Sequence, residues 1–524
     1  MTPKSITLSK LAAFIASIFL SMGALADPAS VRIEQGELKG LVTDHRQFRG
    51  IPFAAPPVGK LRFAAPTPAA GWKGERDASV FGSPCPQLGG FTGLGSENED
   101  CLSLNVFTPL TGEKLPVMVW IYGGGLTSGS SASYDLSTVV KKGNVVAVSM
   151  NYRLGILGFL ATQGLADEAG GMSGNYGLLD QQLALRWIKD NIANFGGDPN
   201  NVTIFGESAG GRSVCGHLLA PRSSGLFHRA IIQSGPCASS IYTPEASYKL
   251  AKSYAAATGC SRDNPAQEVA CLRELPVEKL LNAQGSANII SSDMSPRFNA
   301  DGVTISTPQQ AFASGKFNRV PVLKGSNQFE GRFITALLFD LAGKRLNEEI
   351  YAQILTEKFG AADAKKILAQ YPPSKYPSLS EALAAVYGDS SYSCPTYSDI
   401  RHLAESGVPV YSYEFREPNP PSLLPIPLGA THATELAFML QAPEGRMAAT
   451  RLNPGQLRLS DQMISYWVNF ARNGDPNGES LPQWKPYDSA SDNFFSLTTD
   501  ESGLRDYLEF KADHSCDFWS ALGV

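Results

Sequence analysis

The run VTIFGESAGG at 202–211 constrains the fold more tightly than any other part of the 524-residue chain. Val202, Thr203, Ile204 and Phe205 are β-branched or aromatic, as in a strand, and the helical pattern GRSVCGHLL begins at Gly211. A strand that turns into a helix with no loop between them forces strained backbone angles on the residue at the corner, here Ser208. Gly206, Ala209 and Gly210 are small enough to let the helix pack against the strand, and the serine hydroxyl is raised clear of the sheet.

The segments on either side fit the same architecture. LPVMVWIY (115–122) and NVVAVSMNY (144–152) are near-continuous apolar runs, the signature of strands buried on both faces. Between them and the corner, Leu178, Leu179, Leu183, Leu185, Ile188 and Ile192 recur at helical spacing until GGDP ends the pattern. Strand, helix, strand and helix again predict an α/β fold with a mostly parallel central sheet and helices on both faces. Length alone would allow about three domains, yet no repeat or low-complexity tract marks a boundary. The helical stretches 243–290 and 333–386 read as insertions folded over one end of the sheet, so residues 27–524 are expected to form one domain. The Pro-rich segment EPNPPSLLPIPLG (417–429) is too long and stiff for an ordinary connection and is a candidate wall of a site.

The N-terminus has the layout of a secretory signal: Lys4 and Lys10 lead, an apolar run starts at Leu11, and Ala24-Leu25-Ala26 offers a cleavage point. Removal of 1–26 would take two lysines and move the formal charge from −5 to −7. That acidic balance argues against nucleic acid as a partner. No later run reaches spanning length without charges or turn residues, so no membrane span is expected in the mature chain, which would be secreted or periplasmic. Export makes the eight cysteines candidate disulfides. Cys85 with Cys101 and Cys260 with Cys271 bracket local loops, each closure adding roughly 3 kcal/mol in the chain-entropy model. Cys394 and Cys516 could close a long loop, whereas Cys215 and Cys237 fit either a bridge or two buried thiols. No pair has the C-x-x-C spacing of a zinc site, and no metal or organic cofactor is expected.

A serine on such a corner becomes a nucleophile only with a base, an acid that orients the base, and donors for an oxyanion. The glycines of IYGGGLTSG (121–129) follow a buried strand, and bare amides there can approach a reacting oxygen; Gly124, Gly125 and Ala209 are the expected donors. The base must be His45, His217, His228, His402, His432 or His514. A chain order of serine, acid, histidine leaves the last three. His402 reads as helix surface, His514 lies beside Cys516, and His432 follows the Pro-rich loop just before a helix, which makes it the best placed. For the acid, Glu330 stands on a turn after the short strand RVPVL, with Asp301, Asp389 and Asp399 as rivals.

The blocks FRGIPFAAPPVGKLRF, NEDCLSLNV, VMVWIYGGG, NYRLGILGFL, GNYGLLDQQLALRWIKDNIANFGGDPNNVTIFGESAGG and GLFHRAIIQSG occur in order from about residue 31 onward. Together they resemble the type-B carboxylesterase family, which includes the cholinesterases and has the α/β-hydrolase fold. The family pattern G-x-N-x-x-E-G falls on Gly325, Asn327, Glu330 and Gly331, and G-x-x-H-x-x-E on Gly429, His432 and Glu435. The resemblance implies a serine carboxylesterase with a Ser208–Glu330–His432 triad, supporting roles for Glu207 and Ser234, and disulfides Cys85–Cys101 and Cys260–Cys271. Cleavage of a carbamate or amide is the alternative on the same machinery, and a non-catalytic adhesion module the alternative outside enzymes. Three positions depart from the pattern. Phe91 is the sole aromatic between Cys85 and Cys101, where cholinesterases hold a quaternary ammonium on a tryptophan, so choline esters are disfavoured. Arg212 stands where smaller or neutral residues are common, and Leu126 where an aromatic is usual, which leaves the acyl side undefined.

Overall fold

The computed structural model describes residues 29–89, 95–237, 241–284, 296–422, 424–440, 452–500 and 503–524. The expected signal at 1–26 and the aromatic Phe91 lie outside those residues. Among the described residues, an eleven-stranded sheet runs through the molecule. In spatial order its strands are Arg505–Tyr507, Phe494–Leu497, Val410–Phe415, Val322–Asn327, Arg229–Gln233, Gly197–Glu207, Leu115–Ile121, Val146–Met150, Ser103–Thr108, Arg46–Pro52 and Leu41–Val42. From Phe494–Leu497 to Val146–Met150 every pairing is parallel, and antiparallel strands close both edges. A smaller sheet at the N-terminus joins Ser30–Ile33, Gly36–Lys39 and Glu75–Asp77.

Burial explains the uninterrupted apolar runs. Every residue of Leu115–Ile121 and Val146–Met150 is buried, because helices cover both faces of the parallel part. Side chains alternate across a strand, and Thr203 donates its hydroxyl to the Ala471 carbonyl at 3.4 Å, which puts helix Pro454–Asn473 on one face. Helix Tyr176–Asn191 meets helix Ala209–Leu219 through a 3.1 Å bond from the Gln181 amide to Ser213 Oγ. No helix among the described residues is long and apolar enough to cross a membrane.

The insertions expected between 243 and 290 and between 333 and 386 are helical: Pro244–Thr258, Pro265–Glu274 and Val277–Gln284, then Arg332–Thr335, Glu348–Gln370 and Leu379–Gly388. The first group builds a second apolar cluster in which Tyr254, Val269, Leu272 and Leu280 pack with Ile156, Leu157 and Leu160. The Pro-rich segment buries Leu424 and Leu428 against Ala336, beside Phe333. All eight cysteines are bridged, as Cys85–Cys101, Cys215–Cys237, Cys260–Cys271 and Cys394–Cys516, which resolves the two pairings left open above.

Candidate active site

Strands Leu115–Ile121, Gly197–Glu207, Arg229–Gln233 and Val322–Asn327 lie side by side and parallel, so the loops leaving their carboxyl ends meet over one stretch of sheet edge. Those loops carry Gly123 to Gly125, Ser208, Ser234 and Glu330. His432 arrives from the connection that follows Val410–Phe415.

Ser208 occupies the corner at φ 56° and ψ −122°, a strained conformation for a residue with a Cβ. Its N–H donates to the Gln233 carbonyl and its carbonyl accepts from Arg212 N–H, both at 2.9 Å, so the corner is tied to the next strand and to its own helix. A Cβ on Gly206 would stand 2.6 Å from the Ile121 carbonyl oxygen, and one on Gly210 only 1.9 Å from it. The two glycines are therefore required by contact between the corner and the neighbouring strand.

His432 Nε2 lies 2.9 Å from Ser208 Oγ, and its Nδ1 lies 2.6 Å from Glu330 Oε2. Glu330 is held on its other oxygen, where Oε1 accepts from Ser234 Oγ at 2.5 Å and from Asn327 N–H at 2.7 Å. The two family patterns interlock through Asn327, whose side-chain amide donates to Glu435 Oε2 at 2.6 Å and to the Thr431 carbonyl at 2.7 Å. Glu330, Glu207, Glu435 and His432 are buried, whereas Ser208 is only half-buried and open to a ligand.

Three carboxylates around one imidazole set its basicity. Burial alone would lower the pKa of His432, but Glu207, Glu330 and Glu435 outweigh it and raise it to about 9. An unperturbed histidine titrates at about 6.5. Glu207 Oε1 stands 3.2 Å from His432 Nε2 without a hydrogen-bond partner of its own. Burial, with Glu435 and Glu330 behind it, pushes Glu207 up to about 8 against the pull of His432 and Arg212. A proton on Glu207 removes one of the charges that raise His432, so the two titrate as a linked pair.

Two of the three expected oxyanion donors, Gly124 and Gly125, lie on the loop that follows strand Leu115–Ile121. Gly124 and Gly125 adopt φ 108° and 66°, and the loop is anchored by Gln87, whose side chain accepts from Gly129 N–H at 2.9 Å and donates to the Gly129 carbonyl at 2.8 Å. Ala209 is the first residue of the helix after Ser208. Gly123, which sequence reasoning passed over, lies against the serine: a Cβ there would sit 3.0 Å from Ser208 Cβ and 2.8 Å from the Glu207 carbonyl oxygen. Its position in the GGG run was a usable signal. Tyr392 had none; it lies 40 residues before His432, and its ring packs 4.8 Å from the imidazole.

The rival acids and bases are engaged elsewhere. Asp301 accepts from the amides of Val303 and Thr304, and Asp399 pairs with Lys324 at 3.2 Å. Asp389 holds His514 at 2.6 Å, with Glu414 on the other ring nitrogen at 2.7 Å. Burial opposes a charge on His514, but the two carboxylates push it up to about 10. His217 is buried between Ser223 and Gln181, and His402 lies on helix Cys394–Glu405 against Phe312.

Comparison with known proteins identifies the family. The family model described as the carboxylesterase family matches residues 27–519. Liver carboxylesterase 1 of Oryctolagus cuniculus is 36% identical over 489 residues, covering 86% of this chain and 85% of the relative. A medium-chain fatty acyl-CoA hydrolase precursor of Anas platyrhynchos is 36% identical over 526 residues, covering 94% and 91%. Carboxylesterase 3 of Homo sapiens is 36% identical over 493 residues, covering 88% and 84%. With likeness of that extent, and the α/β-hydrolase sheet beneath it, the chain belongs to the carboxylesterase family and is a carboxylic ester hydrolase.

Proposed function

We propose that Ser208 is the nucleophile of this hydrolase, His432 its general base and acid, and Glu330 the carboxylate that orients the imidazole. As Ser208 Oγ bonds to the ester carbonyl carbon, its proton passes to His432 Nε2, and the carbonyl oxygen gains negative charge. The amides of Gly124, Gly125 and Ala209 donate to that oxyanion; loss of one such donor costs on the order of 100- to 1000-fold in comparable sites. Collapse breaks the bond to the alcohol oxygen, which takes the proton from His432. Water then repeats the sequence on the acyl-enzyme and restores Ser208. Glu330 holds the imidazole ring and stabilises the imidazolium that forms in each half-reaction. Ser234 supports Glu330, and Glu207 tunes His432.

The observation that carries this reading is the continuous line of hydrogen bonds from Ser208 through His432 to Glu330, 2.9 and 2.6 Å. The substitution Ser208→Ala is expected to lower kcat by roughly 10⁴-fold or more with an unchanged circular-dichroism spectrum, and to abolish labelling by a fluorophosphonate. A folded Ser208→Ala protein that keeps most of its turnover would overturn the assignment. Absence of labelling in the wild-type protein would favour the non-catalytic module.

Export belongs to the same proposal. Four disulfides suit an oxidising compartment, and the signal pattern supports cleavage after Ala26, leaving 27–524 as one secreted or periplasmic domain. N-terminal sequencing of the exported protein tests this.

A further inference from the structure

Beside the triad stand two cations, Arg212 and Lys358, that make no ion pair among the described residues. Helix Ala209–Leu219 starts at the nucleophile, and one turn along it Arg212 turns its guanidinium over the Tyr392 ring, 5.9 Å from the centroid. That ring is the one packed against His432. Tyr392 in turn meets Tyr387 edge-on at 5.9 Å, and Lys358 from helix Glu348–Gln370 holds its ammonium 4.6 Å from the Tyr387 ring. Three elements distant in sequence thus bring two cations onto one aromatic wall that ends at the catalytic imidazole. Arg297 adds a third charge to the group, felt by both Lys358 and Tyr387.

Charges taken fully out of water are ordinarily paired, and Arg212 and Lys358 are each partly withdrawn from it. Among the described residues, neither Arg212 nor Lys358 has an ion pair; Lys358 reaches only Ser391 Oγ, at 3.3 Å, and the faces of Phe359 and Tyr387. Arg212 Nε is buried and has no hydrogen-bond partner. Arg212 pulls on the buried Glu207, but Lys358 meets no such carboxylate: the charges that act on it are those of Arg297 and Arg212. Burial and those two like charges press the Lys358 ammonium down to about 8, the behaviour of a cation whose counter-charge is missing.

We propose that this cluster is an anion subsite, and that the enzyme's preferred substrates are esters carrying a carboxylate or similar anion, held by Arg212 and Lys358 while Ser208 attacks the ester bond. The inference rests on the hydrolase reading of Ser208. Arg212 offers a planar fork suited to a carboxylate, and Lys358 a point charge at the other end of the Tyr392–Tyr387 pair. The anion could belong to the acyl or to the alcohol part of the ester, and two matched substrate pairs separate these cases.

The test compares kcat/KM for the 4-nitrophenyl monoester of glutarate against 4-nitrophenyl valerate, and for 4-carboxyphenyl acetate against 4-carbamoylphenyl acetate. At least one anionic ester is expected to exceed its neutral partner by about tenfold or more, the scale of a hydrogen bond to a charged group. Arg212→Gln should bring that ratio down by a similar factor through KM, Arg212→Lys should retain part of it, and Lys358→Gln should lower it independently. The ratio is unaffected by the fraction of folded enzyme and by any shift in His432, since both esters use the same triad. Neutral esters hydrolysed with no anionic preference in either pair, or a preference that survives both Arg212→Gln and Lys358→Gln, would overturn the subsite while leaving the hydrolase intact. Failure to cleave all four esters would instead count against the reading of Ser208.

Discussion

Among single side chains, Glu207 is the one whose influence depends most on the assembled site. It sits next to Ser208 in the chain, yet its carboxylate oxygen comes 3.2 Å from His432 Nε2, on the nitrogen that faces the serine. An anion there favours imidazolium, and the site raises His432 to about 9. Only the neutral imidazole can accept a proton, so activity falls as pH drops through the raised value, and the acid limb lies above the ordinary 6.5. Glu207→Gln removes one raising charge and is expected to move that limb to lower pH. The profile of kcat/KM for a neutral aryl ester checks it. A limb that stays in place would mean that Glu330 and Glu435 alone set the basicity of His432. The pairing of Asn327 with Glu435 argues for a positioning role as well, since it joins the turn that carries Glu330 to the helix start that follows His432.

At the level of elements, the corner between strand Gly197–Glu207 and helix Ala209–Leu219 is where local sequence and tertiary contact agree. Gly210→Ala would drive a methyl group into the Ile121 carbonyl at 1.9 Å. Backbone cannot yield as a flexible side chain does, so the variant is expected to lose about 3 kcal/mol of stability or more, and turnover with it. Thermal unfolding beside ester hydrolysis reads both effects; a stable, active Gly210→Ala protein would show that strand and helix can separate there. This element was legible because its information is contiguous: an apolar strand, small residues on the corner and a helical pattern after it. The strands at 115–121 and 146–150 and the helix at 176–191 were readable for the same reason. Residues that meet only through folding left less trace. Glu330 could not be separated from Asp301, Asp389 and Asp399 by spacing, because what distinguishes it is the Ser234 hydroxyl and the Asn327 amide converging on one oxygen. Tyr392 was invisible, since it reaches His432 from a π-helical turn at Asp389–Ser393, just after an insertion. The Pro-rich segment was recognisable as special from composition, but that it seals Leu424 and Leu428 onto Ala336 follows from helix Arg332–Thr335 being there.

For the molecule as a whole, the C-terminus is fastened to the segment that lines the site. Asp389 opens the turn that carries Tyr392, and the same Asp389 binds His514 at 2.6 Å and the Tyr371 hydroxyl at 2.8 Å, while the Trp519 indole donates to Tyr371 Oη at 2.6 Å. Beside this network Cys394–Cys516 joins residues 122 apart in sequence, whereas Cys260–Cys271 closes a separation of 11. In the chain-entropy account a bridge stabilises by restricting the unfolded chain, about 5 kcal/mol for a loop of the longer kind and about 3 kcal/mol for one of the shorter. The double variant Cys394→Ser with Cys516→Ser is therefore expected to unfold at lower urea than Cys260→Ser with Cys271→Ser. Its kcat on a neutral ester should stay near that of the wild type, because the His514 ion pairs still hold Asp389 and, through it, Tyr392. Equal midpoints for the two double variants would move the stabilising effect of the long bridge out of the unfolded chain. A collapse of kcat at unchanged midpoint would assign the bridge, and not His514, the task of keeping the aromatic wall against His432.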